Sequence, residues 1–139
     1  MKPITYSIIF DLDGTLVHSV PDMHYAINKT LKEYNLKIIS EEKLQTFVGE
    51  GMLSLAKKVV DFCGGDKNLY DIIYNSYRKN YSKQPYKYSS LMPGVMEALN
   101  FFYERNIAMG ICTNKRQFVT EELIEQMNLQ KNLIKASQR

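Results

Sequence analysis

Two short apolar runs, one at each end of the chain, constrain the fold more than any other feature. Ile4–Phe10 near the start and Ile107–Cys112 near the end are rich in β-formers, and almost everything between them carries helical periodicity. Strands separated by helical chain pair most readily in parallel through crossovers, which places them in an α/β layer structure. Ile107-Ala108-Met109-Gly110-Ile111-Cys112 is nearly continuous in apolar character, as expected of a parallel strand covered on both faces. Tyr6–Phe10 reads as a short buried strand stopped by Asp11 and Gly14.

The middle of the chain reads as four helices. Ser19 is placed to cap the first, Pro21 suits its first turn, and Met23, Ile27, Leu31 and Tyr34 form one apolar face. Ser40-Glu41-Glu42 opens a second, and Gly49-Glu50-Gly51 breaks it. Leu53, Ala56, Val59 and Val60 mark a third, ending near Gly64-Gly65. A fourth runs from about Asp66 to Tyr81, with Tyr70, Tyr74, Tyr77 and Tyr81 on one stripe. Such a stripe could bind a ligand, but core packing is the commoner use of helical aromatics. After a polar connector, Pro93-Gly94 starts a helix carrying Val95, Leu99 and Phe102, which Asn106 ends. Val119, Leu123 and Met127 define the last. The expected division is an α/β core of residues 1–16 and 91–139 with only two parallel strands, interrupted by a helical domain over 17–90.

Composition narrows the function classes. The 139 residues are 45% hydrophobic and 24% charged, which is ordinary for a globular chain. The net charge of +3 sits mostly in the middle segment without a dense basic block, so nucleic-acid binding is not expected, whereas a small anion is compatible. No apolar run is long enough to span a membrane, and Asp11 cuts off any leader-like segment. Cys63 and Cys112 are too few for a disulfide framework, which points to a reducing cytoplasm.

Chemistry concentrates at Asp11-Leu12-Asp13-Gly14-Thr15, directly after the first strand. Ligands of open α/β sheets bind beyond the carboxyl ends of strands. A carboxylate there can attack phosphorus and form an acyl-phosphate. A second one nearby can protonate the departing alkoxide and then take a proton from water. Gly14 permits a sharp turn that would aim amide N–H groups at phosphate oxygens. Two carboxylates repel a phosphate, so a hard cation is required, and Mg²⁺ with oxygen ligands suits best. A turn carrying solvated acids is the bland alternative. A match to four fixed residues would arise by chance on the order of once in a thousand chains of this length, which favours the site.

Phe10-Asp11-Leu12-Asp13-Gly14-Thr15-Leu16-Val17 resembles the first motif of the haloacid dehalogenase superfamily. The resemblance implies an α/β core of Rossmann-like type with an inserted helical cap. It implies Asp11 as nucleophile and Mg²⁺ ligand, and Asp13 as general acid/base whose carbonyl also meets the metal. An acid at the second position points to phosphoryl transfer rather than dehalogenation. Pro93-Gly94-Val95 followed by Gly110-Ile111-Cys112-Thr113-Asn114-Lys115 is similar to the phosphoglycolate-phosphatase branch. There the Thr113 hydroxyl and the Asn114 amide would hold phosphate, alongside the amides of Leu12 and Gly14. Gly49-Glu50-Gly51 would line the cap side of the cleft, with an ordinary helix–helix turn as the equal alternative. The implied substrate is a small phosphorylated metabolite, most simply 2-phosphoglycolate.

The chain also departs from the pattern. His18 stands where the family commonly has an acid, and nothing in the sequence supplies it with an orienting partner; His24 reads as a surface or packing residue. The third-motif cation and fourth-motif acids of the superfamily have no counterpart, since no acid follows Glu125. Lys115, Lys131 and Lys135 follow no further expected strand, so none is assigned the cationic role. The expectation is a chain truncated relative to the family, with little turnover by itself and a tendency to self-associate through an incomplete core. A phosphomutase of the same superfamily is a further alternative.

Overall fold

The computed structural model of the chain describes residues 6–84, 86–133 and the backbone of 135–138. Ile4 and Thr5, expected to open the first strand, lie outside the described residues. The chain divides into two compact units. One combines the residues up to His18 with those from Ser90 onward, and the other is Ser19–Ser89.

The first unit is α/β. Strand β1 (Ser7–Phe10) pairs in parallel with β4 (Ala108–Thr113), with Phe10 beside Ile111. Helix α5 (Val95–Glu104) precedes β4, and α6 (Gln117–Gln126) follows it. The sheet holds a third strand, β5 (Lys135–Gln138), parallel to β4, giving the order β1-β4-β5. Two strands were expected. Lys135-Ala136-Ser137-Gln138 lacks the apolar β-branched composition that announces a strand. A small antiparallel ribbon was missed too: β2 (Val17–His18) pairs with β3 (Ser90–Leu91), Val17 with Leu91 and His18 with Ser90. These pairs lie just outside Ser19 and Ser89, so the seams fall there rather than at residues 17 and 90.

Burial corrects two strand expectations. β4 is not covered equally on both faces: Met109, Ile111 and Thr113 are buried, while Ala108, Gly110 and Cys112 are partly open. β1 is not a buried strand, because Ile9 is 72% exposed. Among the described residues β1 pairs only with β4, so it is an outer strand with one uncovered side. The core of this unit gathers Leu12, Leu16, Val17, Val95, Leu99, Leu123 and Leu129.

The second unit is helical: α1 (Val20–Glu33), α2 (Glu41–Gln45), α3 (Met52–Phe62) and α4 (Tyr70–Lys83), the last entered through a 3₁₀ turn at Lys67–Leu69. α1 packs on α4, and α4 on α3. Ile27, Leu31, Val59, Ile73 and Tyr77 are fully buried between them. Tyr77 and Tyr81 are core residues, and Tyr70 and Tyr74 lie half-buried beside them, as packing predicts. Tyr34 and Leu53, assigned to apolar faces, are instead about 40% exposed. Tyr34 falls beyond the last turn of α1, and Leu55 takes the inward position expected of Leu53. His24 packs as expected: its Nε2 lies 2.9 Å from the Ile39 carbonyl.

Helix ends follow from local chemistry. Ser40 Oγ accepts from the Lys43 N–H at 3.2 Å, capping α2, whereas Ser19 makes no such bond because its backbone is already helical. α1, α5 and α6 all stop at an asparagine in the left-handed region: Asn35, Asn106 and Asn128. After α5 the Asn106 N–H bonds the Tyr103 carbonyl and the Ile107 N–H bonds that of Phe102, the paired geometry that satisfies terminal carbonyls. No helix among the described residues is long and apolar enough to cross a membrane.

Candidate active site

The residues singled out by chemistry meet at one end of the sheet. Asp11 follows the last residue of β1, and Thr113 is the last residue of β4. The two strands are parallel neighbours in register, so both loops leave from the same carboxyl-terminal edge.

The loop after β1 is built around Leu12. Its side chain is wholly buried, while Asp11 before it is exposed and Asp13 after it is partly exposed. Its carbonyl accepts three N–H groups, from Thr15, Leu16 and Val17, at 3.2, 3.0 and 3.1 Å. The Gly14 N–H closes the loop on the Val17 carbonyl at 2.8 Å, at a φ of +80° that glycine adopts without strain. An apolar plug thus holds two carboxylates on either side of itself at the sheet edge.

Both amides expected to meet phosphate have partners within the loop. The Leu12 N–H bonds the Asp11 carboxylate, reaching Oδ1 at 2.9 Å, and the Gly14 N–H is committed to Val17. Thr113 is 2% exposed, and its Oγ1 accepts the Lys115 N–H at 3.1 Å. A hydroxyl that accepts retains its own proton to donate, so this contact orients Thr113 as a donor. Asn114 follows on the exposed loop.

Lys115, to which the sequence reading gave no role, reaches this site. Its Nζ lies 3.3 Å from Asp13 Oδ1, and its side chain is 7% exposed against 18% for Asp13. The signal was present in Thr113-Asn114-Lys115. A threonine at a strand end that accepts the N–H two residues on folds the loop back, and the third residue then reaches the neighbouring loop.

The donors that the family resemblance implies for a metal are hard oxygens: the Asp11 carboxylate and the Asp13 main-chain carbonyl. No cluster of three His, Cys, Asp or Glu side chains that could hold a metal occurs among the described residues. A two-oxygen set still fits Mg²⁺, which keeps several waters and takes one or two protein carboxylates beside substrate phosphate.

Gly49-Glu50-Gly51 belongs to the helical unit. Gly49 and Gly51 have φ of +131° and +91°, and Glu50 joins the start of α3. Its Oε2 accepts from Ser54 Oγ at 2.8 Å and meets Lys58 Nζ at 2.8 Å. The hydrogen bond from Lys58, then that from Ser54, holds the Glu50 carboxyl below the usual carboxylate range. His18 lies in β2 opposite Ser90.

Paired carboxylates thus follow the first strand of a parallel sheet, and a threonine and a lysine follow its neighbour. The chain belongs to the haloacid dehalogenase-like hydrolase family, whose profile matches residues 8–136. It is 33% identical over 129 residues to a phosphoglycolate phosphatase of Rhodospirillum rubrum, covering 88% of this chain and 54% of the relative. It is 31% identical over 124 residues to one of Cereibacter sphaeroides, covering 88% and 57%. The crystal structure of a predicted phosphoglycolate phosphatase from Haemophilus somnus superimposes with a TM-score of 0.87 at 26% identity, covering 96% of this chain and 62% of that one. The chain thus spans about half the length of the curated relatives it matches.

Proposed function

We propose that this chain carries the nucleophile end of a magnesium-dependent phosphomonoesterase acting on a small organic phosphate, with 2-phosphoglycolate the first candidate. The observation that supports this reading most is the Leu12 plug, which sets Asp11 and Asp13 at the carboxyl edge of β1 beside the loop of Thr113. Asp11 attacks phosphorus, giving an aspartyl-phosphate and releasing the alkoxide. Asp13 donates the proton that the alkoxide needs, then takes one from the water that hydrolyses the acyl-phosphate. The Thr113 hydroxyl donates to a phosphate oxygen, with Asn114 beside it. Bound Mg²⁺ would be held by the Asp11 carboxylate and the Asp13 carbonyl, and would supply charge neutralisation for phosphate and nucleophile.

Residues 19–89 act in this reading as the cap, with Gly49-Glu50-Gly51 presented to the substrate, and the protein works in the cytoplasm. The names of the phosphoglycolate phosphatase relatives support the substrate class. The test is covalent. The chain is mixed with Mg²⁺ and ³²P-labelled 2-phosphoglycolate, quenched in acid and digested. The expected result is a hydroxylamine-labile phosphoryl group on the peptide containing Asp11, absent from Asp11→Asn. Label on both proteins, or on neither, overturns the assignment.

A further inference from the structure

The geometry points to Lys115 as a positioning and charge-masking residue of the phosphate site: its ammonium covers Asp13, so that a phosphate dianion can approach. This inference rests on the phosphatase reading of the same site. Lys115 is held at both ends. Its main-chain N–H is fixed on Thr113 Oγ1 at 3.1 Å, and its Nζ stands 3.3 Å from Asp13 Oδ1. One residue thereby straddles the loops after β4 and β1, joining the proposed phosphate donor to the proposed acid/base.

Burial gives the contact its weight. A lysine with 7% of its side chain exposed is screened less by water and salt than a surface lysine, so its charge bears more on its neighbours than an exposed ion pair would. Asp13 is similarly sheltered at 18%. Without the ammonium, two carboxylates one residue apart would face the incoming dianion. With it, the loop presents one net negative charge where the sequence places two. The main-chain bond adds a second effect: it fixes how far Lys115 can retreat and keeps Thr113 turned to donate.

Masking makes a prediction that a merely structural role does not. Inorganic phosphate and Mg²⁺ carry opposite charges, so removing the ammonium shifts their binding in opposite directions. Damage to the loop weakens both. The experiment is calorimetric titration of the purified chain with Mg²⁺ alone and with inorganic phosphate in the presence of Mg²⁺. Lys115→Met should weaken phosphate by roughly tenfold and tighten Mg²⁺ by about threefold, as expected when one partner of a close charge pair is deleted. Lys115→Arg should restore both towards wild type. Lys115→Met combined with Asp13→Asn should regain most of the phosphate affinity, because the exposed charge is gone.

Phosphate affinity unchanged in Lys115→Met, or both ligands weakened together with no recovery in the double variant, overturns the masking role. Neither outcome depends on turnover. A wild-type chain that binds both ligands yet gives no phosphoryl-Asp11 refutes the nucleophile and leaves the mask standing. A wild-type chain that binds neither removes both.

Discussion

Leu12→Ala is the sharpest test of how the site is held. The Leu12 side chain is wholly buried, at the centre of a loop whose carbonyl gathers three N–H groups. Deleting its three outer carbons forfeits about 2.4 kcal/mol of transfer free energy, taking about 0.8 kcal/mol per methylene-sized group. The cavity left behind raises the cost to about 3–5 kcal/mol, because a loop locked by main-chain bonds collapses poorly. Leu12→Met keeps the volume and should cost less than about 1.5 kcal/mol. Urea unfolding followed by far-ultraviolet circular dichroism measures both, with unchanged m-values showing that stability alone has moved. The same Ala variant should lose phosphoryl labelling at Asp11, since both carboxylates are aimed by the plug. A Leu12→Ala cost below about 1 kcal/mol would refute the idea that burial of this side chain organises the loop.

Three further predictions follow from the same structure. Asp22 is 2% exposed and accepts from the Tyr88 N–H at 2.8 Å and from Ser89 Oγ, so Asp22→Ala should destabilise the chain by about 2–4 kcal/mol, hydrogen bonds to a charged group being worth more than neutral ones; urea midpoints would show it, and a neutral result would count against the bonds. Asn106→Ala should cost about 1–2 kcal/mol at its φ of 55°, with Asn106→Gly tolerated, as read by thermal unfolding. Burial pushes the Cys63 thiol up from its ordinary value, and only the thiolate reacts. Iodoacetamide near pH 8 should therefore mark half-buried Cys112 well before Cys63, and equal rates by mass spectrometry would contradict that.

The features read correctly from sequence were local ones. The helix stops at Asn106 and Gly64, the helix start at Ser40-Glu41-Glu42, and the carboxylates behind a strand depend on a few consecutive residues whose chemistry is visible in the letters. What escaped depended on partners far along the chain. β5 is a strand because β4 offers it a parallel edge, not because Lys135-Ala136-Ser137-Gln138 prefers to be one. Ile9 and Leu53 have the composition of core residues, yet their exposure is decided by what packs across from them. Lys115 was passed over for the same reason. Its neighbour Asp13 is distant in sequence, and only the pairing of β1 with β4 brings them together. Gly14 shows the converse: its sharp turn was legible, but the acceptor of its N–H was not.

The β2–β3 ribbon has a meaning for gene architecture. Val17 faces Leu91 and His18 faces Ser90, and the Met92 N–H bonds the Leu16 carbonyl at 2.9 Å, so the chain leaves and re-enters the α/β unit at adjacent points. To that unit, everything between is topologically a hairpin turn. Swapping the inserted segment for another whose ends lie equally close would leave every backbone pairing of the sheet as it is. A scaffold of this kind can exchange its insert as a cassette, so the two units can diverge on separate evolutionary clocks.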